Sequence, residues 1–185
     1  VLYYMGRAYH YAGRYPDAIR CYQRVLPVAE RFSDPELIAM PAGMLGFSLT
    51  CQGHVARGTA LLEQALHHLD PVLEPYESLR TSGILAAALA ACGRADQARA
   101  QMERALHRAQ EINQPSALAL IHGLCSCAYL FIGNWPEAIS HGERIVELSL
   151  KTGDKVHQFI GNGLLAWAHG ALGHDDVVRG HREAG

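Results

Sequence analysis

The sequence has no excess of charge of either sign. Its 16 Lys and Arg residues stand against 18 Asp and Glu residues, and the formal net charge is −2. Nucleic-acid-binding domains usually carry a clustered basic face, and segments that bind anionic lipid surfaces carry polybasic runs. The sequence has neither feature, so we expect no nucleic-acid partner and no attachment to a membrane surface.

Long apolar runs are also missing from the sequence. The longest stretch of small apolar residues, Ile84 to Cys92, is about half as long as the roughly 18 to 20 residues that span a bilayer. The first residues lack the basic leader and cleavage pattern of a signal peptide, and the chain does not begin with Met. We therefore expect no membrane partner and interpret the chain as a fragment of a longer protein.

Cysteine is present in a number and pattern that argue against disulfides. The five cysteines form no CxxC pair, and an odd number without such pairs is typical of a reducing compartment. In apolar helical patterns a free cysteine acts as a small hydrophobic side chain. We therefore predict a cytoplasmic protein with five reduced thiols: Cys21, Cys51, Cys92, Cys125 and Cys127.

Motifs of known catalytic sites are absent from the sequence as well. It contains no GxxxxGK[ST] phosphate loop, GxGxxG turn, GxSxG elbow or HExxH helix. The pairs His67 and His107, and His141 and His181, are each 40 residues apart. This regularity indicates repeat positions facing solvent rather than metal ligands converging on one point. We predict that the chain is not an enzyme and binds no metal or cofactor.

The same spacing of 40 residues governs the glycines and reveals an internal repeat. A second series of glycines keeps this spacing and precedes each later member of the first by 10 residues. The first series is Gly13, Gly53, Gly93, Gly133 and Gly173, and the second is Gly43, Gly83, Gly123 and Gly163.

Each repeat reads as a helix, a tight turn and a second helix. Apolar residues recur at spacings of three and four after each turn glycine, prolines stand at helix starts, and the glycine ends the preceding helix in a left-handed conformation. The predicted helices lie near 1–12, 16–32, 35–52, 56–70, 74–92, 95–112, 115–132, 136–152, 155–172 and from 175 onward. The predicted repeat units, in a single domain 1–185, cover approximately 1–33, 34–73, 74–113, 114–153 and a truncated 154–185.

The second glycine series falls in the middle of predicted helices, where glycine costs about 1 kcal/mol relative to alanine. Small residues surround each of these glycines, so we expect another helix to pack closely on them. A ligand that approaches the bare backbone is the alternative interpretation.

The first repeat resembles a tetratricopeptide repeat (TPR). The motif W-x2-L-G-x2-Y followed by A-x3-F is matched by Leu2-x2-Met5-Gly6-x2-Tyr9 and by Ala18-x3-Tyr22. The resemblance implies an all-α fold, a right-handed TPR-like α-α superhelix (solenoid) of about four and a half helix-turn-helix units of period 40. The usual TPR period is 34, so the helices are expected to be longer.

Long-period arrays of this kind resemble regions of large bacterial signalling proteins. Two groups share this look: MalT-like transcription regulators, and proteins that join an adenylate/guanylate cyclase domain to an AAA-type ATPase. By resemblance, the chain is a protein-protein interaction or regulatory scaffold module of a larger signalling protein. The alternative is a sensor domain that binds a peptide or a small apolar ligand in its concave groove.

The resemblance also implies where a partner binds, because a TPR superhelix binds along the face lined by the first helix of each unit. Few charged residues fall on this predicted face. Three alternatives stay open for an apolar groove: coverage by the chain's own long helices, a protein, peptide or homodimer partner, or a small apolar ligand. The candidate residues are Tyr4, Arg7, Tyr11, Met44, Phe47, Arg80, Ile84, Phe131, Leu164 and Trp167.

Overall fold

Ten α-helices and no strand make up the part of the chain that the computed structural model describes, residues 1–32, 34–69 and 75–184. This arrangement confirms the predicted all-α TPR-like fold class. The helices are α1 Leu2–Tyr11, α2 Tyr15–Glu30, α3 Pro35–Cys51, α4 Val55–His68, α5 Pro75–Ala91, α6 Ala95–Ile112, α7 Pro115–Ile132, α8 Trp135–Thr152, α9 Lys155–Ala171 and α10 Asp175–Ala184.

The predicted helix boundaries agree with these ranges to within about two residues wherever they can be compared. The predicted end of the fourth helix at 70, the start of the fifth at 74, and the unit boundaries at 33 and 73 lie outside the described residues. Pro27 and Pro41 stand inside α2 and α3, so neither helix starts late, as the sequence had allowed.

The turn glycines have the conformation that the repeat predicts. Gly13, Gly53, Gly93, Gly133 and Gly173 all have positive φ, between 71° and 90°. The residue after each one donates its N–H to a carbonyl five residues back, as from His54 to Leu49 at 2.9 Å. This bond satisfies a carbonyl that the helix end would otherwise leave unpaired, so each glycine closes one hairpin.

The chain divides into two compact bodies. The N-terminal body covers Val1–Ala88 and the C-terminal body covers Leu89–Gly185. In the first, α1, α2, α3 and α4 pack in succession and α1 also touches α3. In the second, α6 to α10 pack in succession and α7 also touches α9. The prediction of one continuous domain stays a prediction.

Close helix packing is found at glycines other than those of the second series. A Cβ added to Gly46 would come 2.9 Å from the carbonyl oxygen of Gly58, and one on Gly6 would come 2.7 Å from the ring of Tyr22. Within the second series, an added Cβ on Gly43 would lie 3.3 Å from Thr81, but one on Gly163 would meet nothing within 4 Å. The packing prediction is therefore wrong for Gly163.

One helix corrects the expectation about apolar runs. α7, Pro115–Ile132, has 18 residues with a mean hydropathy of 1.6, which is long and apolar enough to cross a bilayer by length and composition alone. It packs against α6, α8 and α9, and Ile121 and Ala128 on it are fully buried. Core helices of soluble repeats pass the same test, so the apolar length of α7 is explained by the packing that surrounds it.

Candidate partner-binding surfaces

The first candidate surface is one stripe of α1 in the N-terminal body. Tyr4 and Tyr11 expose 68% and 64% of their surface, and Arg7 lies half-buried between them. Spacings of three and four place these residues on one face of the helix. The guanidinium of Arg7 lies 5.9 Å from the ring of Tyr11. The three predicted residues of the first repeat therefore form one accessible patch.

Tyr76 on α5 extends this patch. It exposes 39% of its surface, and burial is the main cause that raises its pKa, with electrostatic contributions from Tyr11 and Arg7. Tyr76 is thus close to the α1 stripe in the same body. We call Tyr4, Arg7, Tyr11 and Tyr76 the tyrosine–arginine face.

Arg80 lies beneath this face rather than on it. Its side chain is only 6% exposed and forms an ion pair with Glu77, whose side chain is 14% exposed. A guanidinium buried against its own carboxylate cannot serve as a free anion-binding group. The prediction that Arg80 is accessible is therefore wrong. Arg7 has no carboxylate ion partner among the described residues.

Two phenols close the underside of the face. The hydroxyl groups of Tyr3 and Tyr22 are buried and have no hydrogen-bond partner among the described residues, and the rings lie 6.1 Å apart. Burial raises the pKa of both phenols. Both tyrosines are therefore neutral at physiological pH, and the only cation that the tyrosine–arginine face presents is Arg7.

Other predicted residues of this body belong to its interior. Met44 and Ile84 are 2% and 3% exposed, so the prediction that they line an accessible groove is wrong. Phe47 is half-buried, with its ring 4.3 Å from that of His10. The Nδ1 atom of His10 lies 2.9 Å from the hydroxyl of Ser48. These side chains hold α1 on α3 and thereby fix the stripe above them.

A separate cleft opens at the side of α1 where α2 and α3 meet. Its volume is about 340 Å³, within the range of small-ligand sites. No charged side chain lines it, and Tyr4 and Phe32 stand exposed beside it at 68% and 70%. The lining residues are Tyr3, Tyr4, Val25, Val28, Ala29, Phe32, Leu37, Met40 and Pro41.

The second candidate surface lies on α7 and α9 in the C-terminal body. Phe131 and Trp167, which are 48% and 51% exposed, contact each other edge to face with ring centroids 6.0 Å apart. Val156 and Ile160 continue the stripe along α9 at 67% and 41% exposure. We call these four residues the apolar band. Both aromatic residues had been predicted for the binding face, and their role in binding stays a prediction.

Leu164 corrects the predicted register of α9. It is half-buried and packs against two core clusters, one containing Ile145 and the other Leu130. The accessible stripe of α9 instead passes through Gly163, which is exposed. The sequence pattern could not separate these two neighbours, because only the packing of α7 and α8 shows which one faces inward.

A pair of histidines joins α7 to α8, and sequence reasoning missed it. The Nδ1 atoms of His122 and His141 lie 2.8 Å apart, both rings are half-buried, and Tyr129 stacks on His141 with ring centroids 5.5 Å apart. The expectation that His141 faces solvent is therefore wrong. Exactly the same spacing would have revealed it, because Asn162 and His181 occupy the equivalent places one repeat later and form a 3.2 Å contact.

Groups with catalytic potential do not converge elsewhere. Within residues 1–32, 34–69 and 75–184, no three His, Cys, Asp or Glu side chains are placed to hold a metal ion. Burial raises the pKa of the Cys125 thiol to about 12, so this cysteine is not a thiolate nucleophile at neutral pH. Cys51 and Cys92, in contrast to the buried Cys21 and Cys125, are exposed.

Comparison with known proteins agrees with this architecture. Family signatures described as tetratricopeptide repeat match residues 77–151 and residues 1–26. Comparison with curated proteins gives no match. Such repeats generally mediate protein–protein interactions, and the proteins that carry them are typically non-catalytic scaffolds.

Solved structures show the same fold. The crystal structure of a kinesin light chain-like protein from Podosopora anserina, with nearly identical TPR-like repeats, superposes with a TM-score of 0.64 at 23% identity and covers 99% of this chain and 90% of that chain. A single-substitution variant of it gives 0.66 at 22% identity and covers 99% and 92%. The chain therefore carries tetratricopeptide repeats over residues 1–26 and 77–151, and its fold is that of the TPR-like helical repeats.

Proposed function

We propose that this chain is a protein-binding module that acts as a regulatory scaffold within a larger signalling protein, and that its tyrosine–arginine face binds an acidic segment of the partner. The observation that carries the proposal is the exposed stripe of Tyr4, Arg7 and Tyr11. The signalling role is supported by the resemblance of the long repeats to regions of bacterial signalling proteins.

The composition of the face favours protein binding. Tyrosine and arginine dominate binding hot spots because they offer large contact area and directional hydrogen bonds at low entropic cost. The charge of Arg7 is not neutralised by a carboxylate ion pair among the described residues. A partner carboxylate placed between Tyr4 and Tyr11 would supply that ion pair in a setting partly shielded from water.

Selection from a random peptide library on the immobilised protein tests this proposal. We expect the selected peptides to carry Asp or Glu next to apolar or aromatic residues. A hydrogen bond to a charged group contributes about 1.5–3 kcal/mol, so Arg7→Ala should weaken binding by about 10-fold or more, and Tyr11→Ala should also weaken it.

Arg24→Ala is the matched control, because Arg24 is an exposed arginine on the second helix of the same hairpin. It should leave the dissociation constant unchanged. Selected peptides that bind the Arg7→Ala and Tyr11→Ala variants as tightly as the unmodified protein would refute the assignment of this face.

The apolar cleft beside α1 supports a second candidate function, a sensor that binds a small uncharged ligand. Its volume of about 340 Å³ and its uncharged lining are the specific observations. Binding of an apolar fluorescent probe that is abolished by Val28→Trp but unaffected by Arg7→Ala would favour this function. Binding that both substitutions leave unchanged would exclude the cleft as its site.

A further inference from the structure

We propose that His122 and His141 form an acid-sensitive contact between α7 and α8, which holds the hairpin closed at neutral pH and releases it when the pair takes up a second extra proton. The contact goes beyond the proposed binding function and does not depend on it. It stands on the geometry of two imidazoles that face each other across a helix pair.

The two rings share a hydrogen bond rather than a metal site. Their Nδ1 atoms are 2.8 Å apart and their centroids 5.0 Å apart. The excess of the second distance over the first is close to the sum of the two ring radii, so the Nδ1 atoms point at each other. Ligands of a metal ion would instead point at a common third position. One Nδ1 therefore donates its N–H and the other accepts it.

This geometry limits the charge that the pair can hold. A first extra proton can add to Nε2 of the donor ring and leave the hydrogen bond between His122 and His141 intact. A second must add to the accepting Nδ1, which then becomes an N–H facing another N–H. The paired state consequently binds one proton fewer than two free histidines.

The neighbouring groups act in the same direction on His122. Burial is the main cause that lowers its pKa to about 4, with smaller contributions from His141 and Arg144. Burial also lowers the pKa of His141, which Glu137 partly offsets. Unfolded histidines titrate near 6.5. The folded hairpin thus loses stability as the pH falls from about 6.5 towards 4, because the unfolded chain takes up protons that the folded pair refuses.

Charged and titratable groups surround the pair on every packed helix. An open cleft of about 450 Å³ beside it is lined by both histidines and by carboxylates of α8. Glu147 pairs with Arg144 and Lys151, and its pKa falls to about 2, so this carboxylate stays ionised while the histidines titrate. The groups are Glu137, Glu143, Arg144 and Glu147 on α8, Tyr129 on α7, Arg99 and Glu103 on α6 near the Tyr129 hydroxyl, and His169 on α9 near Glu143.

The next repeat provides an internal contrast. There, Asn162 replaces the first histidine, and its Oδ1 lies 3.2 Å from Nδ1 of His181. A protonated His181 can still donate to this amide oxygen, since the amide oxygen is never a donor. The contact between α9 and α10 therefore survives acid, whereas the contact between α7 and α8 does not.

The variant His122→Asn copies this acid-resistant pairing into the sensitive hairpin and tests the proposal. The measurement is the number of protons taken up on unfolding by urea, obtained from the slope of log K against pH between about pH 4.5 and 6. We expect the unmodified protein to take up about one proton more than His122→Asn. His10 contributes equally to both proteins and cancels, and the exposed His67→Asn serves as the control without effect.

NMR of the unmodified protein provides a second, independent reading. At pH 7 we expect a scalar coupling between the Nδ1 nuclei of His122 and His141 across their hydrogen bond, and its loss with the second protonation. Equal proton uptake by the unmodified protein and His122→Asn would overturn the proposal. So would independent titration of both rings near 6.5 without such a coupling, even if the variant failed to fold.

Discussion

Two glycines at equally central places in their helices are predicted to respond in opposite ways to alanine. Gly46 in α3 faces the backbone of α4, where an added Cβ would lie 2.9 Å from the carbonyl oxygen of Gly58 and 2.9 Å from Leu62. Gly163 in α9 is exposed and would meet nothing within 4 Å. The same methyl group is therefore added once into a packed contact and once into solvent.

The magnitudes follow from two opposing contributions. Alanine gains about 1 kcal/mol over glycine inside a helix, so Gly163→Ala should stabilise the C-terminal body by about 1 kcal/mol. At Gly46 the same gain is opposed by overpacking against rigid backbone, which typically costs about 1–3 kcal/mol. We therefore expect Gly46→Ala to destabilise the N-terminal body by up to about 2 kcal/mol.

Urea unfolding with two signals separates these effects. Both tryptophans, Trp135 and Trp167, lie in the C-terminal body, so their fluorescence reports Gly163→Ala, while far-ultraviolet circular dichroism also follows the N-terminal helices and reports Gly46→Ala. If Gly46→Ala stabilised the protein as much as Gly163→Ala, the close approach of α3 to α4 would be refuted.

The remaining predictions concern a buried phenol and a helix cap. Tyr22 is fully buried and its hydroxyl lacks a partner among the described residues, so Tyr22→Phe should raise the free energy of unfolding by about 1 kcal/mol. A loss of stability in this variant would show that the hydroxyl is bonded. Asp154 accepts hydrogen bonds from the N–H groups of Val156 and His157 at 3.0 and 3.1 Å, so Asp154→Ala should cost about 1 kcal/mol and Asp154→Asn much less. These bonds and His157 lower the pKa of Asp154; its contribution is thus present above the unfolded pKa near 4 and fades as the pH falls below it, and equal thermal denaturation of all three proteins would contradict the cap.

The repeat itself was predictable because glycine has a backbone conformation that other residues rarely adopt. The spacing from Gly13 to Gly173 therefore predicted the five left-handed turns, and the helices between them followed from the apolar periodicity. The stripe of Tyr4, Arg7 and Tyr11 was found for the same reason, since spacing alone places residues on one face of a helix.

Burial across helices was not predictable from one helix at a time. Met44 and Ile84 were assigned to an open face, but neighbouring helices cover both. Arg80 was treated as a free cation because its partner Glu77 was not considered. The pairing of His122 with His141 spans 19 residues, and only comparison of one repeat with the next would have linked them.

The most direct test of the central claim, that the tyrosine–arginine face binds a partner, is NMR mapping of a selected acidic peptide on the full chain. The account predicts that the largest shift changes occur at the Arg7 side-chain Nε–H and at the rings of Tyr4, Tyr11 and Tyr76, with the ring signals of Trp167 unchanged. Changes confined to Phe131 and Trp167, or to the residues that line the apolar cleft but not to Arg7, would contradict it.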